Sequence, residues 1–468
     1  MENNTNFWGW GPAMSFSGER KLPTIWYCLF FMHLFIIFMW SFRKVVMLNE
    51  YDKLINYILN LNPSDIDQIF TSKSDDKTIV YVKLKRRNIK CPLCSSSSLL
   101  SKGLYNKRVS LPLNFNDDVF VIVKVPRYIC TSCNHTFSDS RNLSPRSSSI
   151  SFHTIGKVKE FLKEPSMNFK QVASLLHISE SSVIRIFDKY CNIPRIPLPE
   201  VLCIDEIYTK HTDSNSPYSC VFSDFFNQSV IEVLSSRRKN YLHYYLSRVS
   251  NKEKDNVKYV CMDMYKPYKD IVNTYFKKAR ICVDSFHVIQ HLNTSFNKIR
   301  IRIMKSYPTD SIEYYLLKTW KNLLLKRDID LDNKARFNKR LNRYINHRQL
   351  QEMLLNIHPD IRCGFALKEL YIEANASYSY EDAVEKLDDI IDGFKSSEIA
   401  EYEDFVTMYV NWREEIINSF IRYKEKRLSN STAESINSKI RTVLYVSKGI
   451  KNSKRRRNRI MYSINKNL

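Results

Sequence analysis

The sequence predicts an α/β domain built on a mixed β-sheet, preceded by a small cysteine-containing module and a group of short helices. Three observations lead to this prediction. Two C-x-x-C pairs lie within residues 88–140, strand and helix patterns alternate over residues 201–305, and residues 306–425 are amphipathic with almost no strand pattern. The length of 468 residues is enough for two to four domains.

The composition indicates a folded and strongly basic protein. Hydrophobic residues make up 44% of the chain and only 8 residues are glycine, which argues against a disordered protein. The 72 Lys and Arg residues exceed the 49 Asp and Glu residues and give a net charge of +23. We therefore expect a polyanionic partner, most simply nucleic acid; a basic soluble protein without such a partner is the alternative.

The first segment, residues 1–46, contains a candidate membrane span. Residues 24–42, TIWYCLFFMHLFIIFMWSF, are long and apolar enough for a membrane helix. From Met47 onward the chain has the character of an ordinary soluble N-terminus. We expect residues 1–46 to be an upstream extension translated from an early start codon, and the alternative is a hydrophobic anchor.

The second segment, residues 47–140, carries four cysteines at the spacing of metal ligands. They form two C-x-x-C pairs: Cys91 with Cys94, and Cys130 with Cys133. Each pair can make a tight turn that presents two thiolates, and tetrahedral zinc takes four. A hairpin-like sequence between the pairs can bring them together. We predict a structural Zn²⁺ site that folds this module, whereas free thiols or a redox pair are the alternative.

Residues 150–195 follow a linker rich in Ser, Pro and Arg, and they have helical patterns. The stretch from Phe169 to Tyr190 predicts a helix, a turn, and a second helix capped by Ser179 or Ser181. The expected apolar positions are Val172, Leu175, Leu176, Val183, Ile184 and Ile186. A DNA-binding helix-turn-helix lays its second helix in the major groove. The residues that would then face DNA are Ser181, Ser182 and Arg185, and the alternative is a plain helical hairpin.

Residues 201–305 form the first part of the α/β domain. Their order is strand, strand, strand, helix, strand, helix, strand, helix, and the second and third strands read as a hairpin. Three strands end in an acid, at Asp205, Asp263 and Asp284. Taken singly, each aspartate is equally a strand cap or a salt-bridge partner. Three aspartates placed in this way are unlikely to arise by chance, because burying a carboxylate is unfavourable unless a cation satisfies it.

Converging carboxylates suit two hard divalent cations, which can activate a nucleophile for phosphodiester cleavage. Glu434 lies on a helical stretch far along the chain and offers a further carboxylate. Asn430 and Asn437 bracket it. Lys439 and Arg441 follow and are candidates for holding phosphates.

These elements together resemble a transposase of the ISL-three family of bacterial insertion sequences. The matching motifs run in the expected order from Met47 to the C-terminus: CPLC, CTSC, the helix-turn-helix pattern, CIDEI, VKYVCMDMYKPY, VDSFHVIQHLN and SNSTAESINSKIR. The resemblance implies an RNase H-like catalytic core of the DDE type. Residues 306–425 would then be a large all-α insertion, and residues 426–468 the end of the core with Glu434 and a basic tail.

The resemblance also implies roles for the acidic residues. The first catalytic Asp of such a core lies on its first strand, which is Asp205, and the second follows the fourth strand, which is Asp263. Glu434 completes the set. Asp284 and His287 resemble a D-x-x-H signature of Mutator-like relatives and would be auxiliary groups. A simpler motif alignment takes Asp284 as the second catalytic Asp, and His287 is equally a candidate for capping the following helix.

The function implied is that of a DDE transposase in the bacterial cytoplasm, associated with the nucleoid. It would bind double-stranded DNA at terminal inverted repeats, as a homodimer or larger assembly. Two Mg²⁺ or Mn²⁺ ions would serve DNA cleavage and strand transfer, without ATP, a small-molecule substrate or a membrane. Phosphate contacts would come from the basic tail and from Arg237, Arg238, Lys239, Lys439 and Arg441.

Three alternatives remain at this point. The chain could be a non-catalytic regulator that uses the zinc and helix-turn-helix modules only. It could be another RNase H-like nuclease that cleaves without strand transfer. If residues 24–42 form a true membrane helix, it could be a membrane-tethered protein.

Overall fold

The computed structural model describes residues 59, 61–74, 77–109, 118–141, 143–145, 148–209 and 216–465. The chain divides into two compact units, residues 1–66 and residues 67–468. The predicted extension and its candidate membrane span lie outside the described residues. In the part of the chain that the structure describes, no helix is long and apolar enough to cross a membrane.

The cysteine module is built on a five-stranded sheet. Its strands are β1 (Ile66–Ser74), β2 (Lys77–Leu84), β3 (Leu99–Val109), β4 (Asp118–Cys130) and β5 (Thr136–Ser138). The order is β1-β2-β4-β3, and β5 pairs with β4. β3 and β4 are antiparallel with Leu99 opposite Cys130, so the predicted hairpin between the two cysteine pairs is confirmed.

Three short helices follow: α1 (Phe152–Phe161), α2 (Phe169–Leu175) and α3 (Glu180–Tyr190). Ser179, one of the two predicted caps, accepts a hydrogen bond from the Ser182 N–H at the start of α3. Leu175 is 39% exposed, so the predicted apolar face is wrong at this position. The face is narrower than predicted because Val172 and Leu176, four residues apart, already cover the contact.

The α/β domain contains a second five-stranded sheet. Its strands are β6 (Val201–Tyr208), β7 (Tyr218–Asp224), β8 (Ser229–Leu234), β9 (Tyr259–Met262) and β10 (Arg280–Val283). The order is β10-β9-β6-β7-β8. β6, β9 and β10 are parallel, whereas β7 and β8 form an antiparallel hairpin beside β6. The predicted mixed sheet is therefore confirmed.

The helices between and after these strands also follow the predicted order. They are α4 (Lys239–Leu246), α5 (Asn251–Asp255), α6 (Lys266–Tyr275) and α7 (Ser285–Lys305). The short α5 is an addition to the prediction. α6 and α7 contribute Ile271, Leu292 and Phe296 to the same buried apolar core as the sheet residues Leu202 and Val260.

Residues 306–425 are mostly but not entirely helical. The helices are α8 (Ile312–Thr319), α9 (Asn322–Leu325), α10 (His347–Leu355), α11 (Pro359–Ser377), α12 (Tyr380–Ser396) and α13 (Glu403–Asn418). Two small hairpins correct the all-helical prediction: β11 (Arg336–Asn338) with β12 (Arg343–Ile345), and β13 (Arg422–Tyr423) with β14 (Lys426–Arg427). Strands of two or three mostly basic and polar residues leave no apolar alternation to detect.

The chain ends with α14 (Ser431–Val446) and α15 (Ser453–Ile464). The arginines of α15 are structural: Arg455 pairs with Asp188 on α3, and Arg457 pairs with Glu232 on β8. Arg459 is fully buried and donates to backbone carbonyl oxygens between residues 162 and 167. The prediction of a phosphate-binding tail is wrong for Arg459, because its guanidinium group is buried against backbone acceptors. For Arg455 and Arg457, phosphate binding stays a prediction, and a phosphate would compete with their carboxylate partners.

Candidate active site

The three predicted aspartates lie side by side at one edge of the parallel part of the sheet. Asp263 and Asp284 directly follow β9 and β10, whereas Asp205 lies within β6, just beyond its last residue paired with β9, so the prediction that this strand ends at the acid is wrong. The strand register aligns the residue before each aspartate across β6, β9 and β10. Asp263 stands between Asp205 and Asp284, since β9 is the strand between β6 and β10. Neighbouring strands are about 4.8 Å apart, so the register brings like charges close together.

Asp263, Asp284 and His287 form the tightest part of the site. One ligand atom from each lies within 4.8 Å of the others. The His287 Nε2 atom is 3.1 Å from the Asp263 Oδ1 atom. Asp284 is the N-cap of α7 and accepts a hydrogen bond from the Phe286 N–H. The capping role considered for His287 therefore belongs to Asp284, which leaves the imidazole free to contact Asp263.

Helix α14 carries the remaining predicted residue, Glu434, and contacts the site through two asparagines. Asn437 Nδ2 donates to Asp205 Oδ2 at 2.7 Å, and Asn430 Nδ2 donates to Asp263 Oδ1 at 3.3 Å. Glu434 lies four residues after one asparagine and three before the other, so it occupies the same face of the helix. Its side chain is exposed and does not belong to the 4.8 Å cluster.

The electrostatics of the site disfavour negative charge. Burial and the neighbouring charge of Asp263 raise the pKa of Asp205 to about 7. Burial is also the main cause of the raised pKa of Asp284. The hydrogen bond to Asp263 raises the pKa of His287 to about 9, so this imidazole is cationic at neutral pH.

The oxygen atoms of the site fit a hard divalent cation. Three buried oxygen atoms accept no hydrogen bond from any described residue: Asp284 Oδ2, Asn430 Oδ1 and Asn437 Oδ1. Buried acceptors are normally satisfied, so each needs a partner. Carboxylate and amide oxygens are the ligands that Mg²⁺ and related ions prefer. The donor set and the raised carboxyl pKa values both fit a bound cation.

An open depression adjoins the carboxylates. It is lined by residues from the end of β9 and from one face of α7: Asp263, Met264, Tyr265, His287, Gln290, His291 and Thr294. Sequence reasoning assigned no role to the last three residues or to Tyr265. The available signal was their spacing from His287, at positions i+3, i+4 and i+7 of one helix.

Two of the predicted phosphate ligands are paired with carboxylates. Arg237 Nη1 donates to Glu206 Oε2 at 2.6 Å, and its guanidinium lies over the rings of Tyr218 and Tyr265. Lys239 Nζ is 3.0 Å from Asp270 Oδ2. Arg237 thus lies beside the depression, and a phosphate would compete with Glu206 for it.

The other predicted DNA contacts lie on three surfaces. Arg238 is the N-cap residue of α4. Arg441 follows Glu434 by seven residues and shares its helix face, whereas Lys439 is about 140° around the axis. On α3, Ser181 and Arg185 are exposed, and Arg185 Nη2 donates to Ser182 Oγ at 3.1 Å. The structure therefore does not bring Lys439 to the carboxylates.

The four predicted zinc ligands converge at the end of the β3–β4 hairpin. The Sγ atoms of Cys91 and Cys133 are 3.6 Å apart, and those of Cys94 and Cys130 are 3.5 Å apart. All four sulfurs lie within 4.8 Å of one another. A tetrahedron of thiolates around Zn²⁺ has sulfur–sulfur edges of roughly 3.8 Å, so the quartet fits zinc.

The α/β domain matches a known protein family. The model DDE_Tnp_ISL3, described as a transposase, matches residues 202–460, which is more than half of the chain. This range includes Asp205, Asp263, Asp284 and Glu434. No curated protein matches the chain.

Proposed function

This chain belongs to the ISL-three family of transposases, and on that premise we propose that it cleaves the ends of a bacterial insertion sequence and joins them to target DNA. The observation that carries the proposal is the meeting of three aspartates from neighbouring parallel strands with one face of α14. Asn430 and Asn437 on that face bond to Asp263 and Asp205, and Glu434 lies between them. Such an arrangement is what a DDE active site requires.

The sheet topology supports an RNase H-like core. A central parallel strand, β6, is flanked by the parallel β9 and β10 on one side and by an antiparallel hairpin on the other. The predominantly helical residues 306–425 would be an insertion between α7 and the helix that carries Glu434. This order of core, helical segment and final helix agrees with the order of motifs on which the resemblance to the ISL-three family rests.

Asp205, Asp263 and Glu434 would hold two Mg²⁺ or Mn²⁺ ions, with Asp284 as an auxiliary carboxylate. When bound, such ions activate an attacking water or hydroxyl and stabilise the leaving oxygen. Asn437 and Asn430 each orient one carboxylate through an Nδ2 donor. His287 donates to Asp263, and its positive charge offsets part of the carboxylate charge.

The reaction would proceed in two steps at the element end. Water attacks a phosphodiester and releases a 3′-hydroxyl, and this hydroxyl then attacks a phosphodiester of the target in line. Each joining step forms one phosphodiester bond and breaks another, so no ATP is needed. The outer face of α3, Arg441 and the zinc module would bind the inverted repeats, which makes binding dependent on salt.

The test is a cleavage and joining assay on duplexes that end in the element's own inverted repeats, with Mg²⁺ or Mn²⁺. The wild-type chain should nick and join these ends. Asp205→Asn and Glu434→Gln should abolish both steps while duplex binding persists. Asp392→Asn, an exposed acid that pairs with Lys395 on α12, is the matched control.

Activity of Asp205→Asn at the wild-type level would overturn the proposal in favour of a DNA-binding regulator. Cleavage of RNA–DNA hybrids without any joined product would identify a different nuclease.

A further inference from the structure

A short β-hairpin in the helical segment carries two exposed aromatic rings. β11 and β12 pair so that Phe337 lies directly opposite Tyr344, with ring centroids 5.3 Å apart. Phe337 is 50% exposed and Tyr344 is 71% exposed. We call these two residues the aromatic pair. Large rings held side by side in solvent are typical of binding surfaces.

The opposite face of the hairpin anchors it to the domain. Ile345 is buried in the main core, and the buried Asn338 bonds to the Tyr315 hydroxyl. The Asn338 Oδ1 atom also accepts hydrogen bonds from the N–H groups of Arg340 and Leu341, which closes the loop between the strands. Because side chains alternate along a strand, the aromatic pair is held on the outer face of a fixed support.

The chain segment that carries the aromatic pair is rich in basic residues. Residues 333–351 contain no Asp or Glu. Arg348 pairs with Asp332, and Arg340 donates to the backbone carbonyl of Asp310. Four further cations are exposed and have no carboxylate within 4.0 Å among the described residues: Lys334, Arg336, Lys339 and Arg343. Lys334 and Lys339 flank β11, whereas Arg336 and Arg343 lie opposite Ile345 and Asn338 and extend into solvent from the anchoring face. The charge of this surface is complementary to a polyanion.

We propose that this hairpin, residues 336–345, binds unpaired bases of DNA. The cations would contact the phosphates and the aromatic pair would stack against bases, which is how proteins hold single strands. A duplex hides the faces of its bases, so exposed rings favour a strand that is melted or broken. The choice of DNA as the nucleic acid rests on the proposed function.

The hairpin is anchored through α8 to the half of α7 that is remote from the carboxylates. Its anchor Tyr315 belongs to α8, and α8 contacts the C-terminal half of α7, where Arg300 Nη1 donates to Leu317 O at 2.7 Å. Asp284 caps the other end of α7. Sixteen residues of helix separate Asp284 from Arg300, which is about 24 Å. Loss of the contact between the aromatic pair and DNA should therefore weaken single-strand binding without changing the chemical step at the carboxylates.

The test measures binding of the full chain to a labelled 30-nucleotide single strand and to the matching duplex, without added Mg²⁺ or Mn²⁺. The double variant Phe337→Ala/Tyr344→Ala should bind the single strand at least about fivefold more weakly, since one lost stack is worth about that factor. Its affinity for the duplex should stay within about twofold. Phe337→Trp/Tyr344→Trp should keep single-strand binding, because tryptophan also stacks.

Tyr244→Ala is the matched control, because Tyr244 is 59% exposed on α4 and lies outside the hairpin. Circular dichroism and thermal unfolding establish that each variant is folded. Unchanged single-strand affinity of the folded Ala double variant would overturn the proposal. A change from a larger to a smaller assembly, with single-strand binding intact, would overturn it in favour of a contact between two copies of this chain.

Equal weakening for duplex and single strand would overturn the assignment to unpaired bases. The outcome is independent of the carboxylates. If Asp205→Asn keeps wild-type activity but the Ala double variant loses single-strand binding, only the transposase chemistry is overturned. If Asp205→Asn abolishes activity but the Ala double variant binds single strands normally, only the hairpin site is overturned.

Discussion

The two candidate metal centres of this chain are assembled in opposite ways. In the cysteine module the ligands come in two local pairs, and one hairpin joins the pairs, so all four sulfurs lie within 4.8 Å of one another. In the α/β domain each carboxylate comes from a different strand or helix. Among the described residues of that domain, Asp263, Asp284 and His287 share such a cluster, and Glu434 is exposed on α14.

The two ligand arrangements indicate different roles for the two candidate metal centres. A closed quartet of thiolates leaves no position for a substrate, which is typical of a zinc site that stabilises a fold. In the carboxylate site, burial raises the pKa values of Asp205 and Asp284, and Asn437 and Asn430 donate to Asp205 and Asp263. Under the proposed function, such a site would exchange its ions with solvent and keep positions for DNA oxygens. Four predictions test this contrast, from the largest effect to the smallest.

Cys130→Ser should remove bound zinc and unfold the cysteine module, while the α/β domain persists on its own core. Structural zinc contributes about 10–16 kcal/mol of apparent binding free energy in zinc-finger peptides, so this is the largest effect. Zinc content and limited proteolysis of residues 77–140 measure it. Cys191→Ser, a buried cysteine outside the quartet, is the control. Full zinc content in Cys130→Ser would show that the quartet is not the metal site.

The variants Asp263→Asn and Asp284→Asn test which of the two aspartates is a metal ligand and which is an auxiliary group. Loss of the Asp263 carboxylate should slow cleavage of element ends by about 10³-fold or more, because a ligand of a catalytic ion is worth several kcal/mol. Asp284→Asn should slow cleavage by only about tenfold, since asparagine still caps α7. Single-turnover cleavage rates at saturating Mn²⁺ measure both. A larger loss for Asp284→Asn would make Asp284 the second catalytic aspartate.

Asn437→Ala should weaken metal binding and leave the chemistry intact. The variant loses the donor that orients Asp205, and loss of such a partner typically lowers metal affinity 10- to 100-fold. The Mn²⁺ concentration for half-maximal cleavage should rise accordingly, with a similar rate at saturation. Ser438→Ala, one residue further on and exposed, is the control. An unchanged Mn²⁺ requirement would mean that Asp205 needs no such partner.

His287→Gln should change how stability depends on pH. The pKa of His287 is raised from about 6.5 to about 9, so its stabilising contribution is complete below pH 6.5 and lost as pH rises through 9. At pH 6 the free energy of unfolding of the wild type should exceed that of the variant by about 1–2 kcal/mol, after allowance for the partial exposure of His287. Urea unfolding at pH 6, 8 and 10 without added Mg²⁺ or Mn²⁺ measures this. A difference that is constant with pH would mean that no proton is held between His287 and Asp263.

The predictable part of the molecule is the part encoded over short distances. Runs of apolar residues located the strands of the mixed sheet, and an acid that follows such a run in three of them located one edge of the site. The C-x-x-C spacing located the zinc quartet. Parallel strands end at the same edge, so β6, β9 and β10 brought their aspartates together once the strand order was known.

The unpredicted parts depend on partners far away in the chain. Arg459 belongs to a basic run that resembled a free tail, but it is buried against carbonyl oxygens of the segment between α1 and α2. Asn430 and Asn437 were visible as neighbours of Glu434 and had no assigned partners until α14 was seen against the sheet. Polar side chains carry no periodic signal that identifies what they will bond.

The sequence by itself determined the strand order along the α/β domain, the cysteine quartet and the acids of the candidate site, because local spacing and backbone periodicity encode them directly. Only the tertiary structure decided that Asp284 caps α7, that His287 contacts Asp263, and that an aromatic pair faces outward from a basic hairpin. These facts arise from packing between distant segments, where burial and hydrogen-bond partners are set by three-dimensional proximity and not by position along the chain.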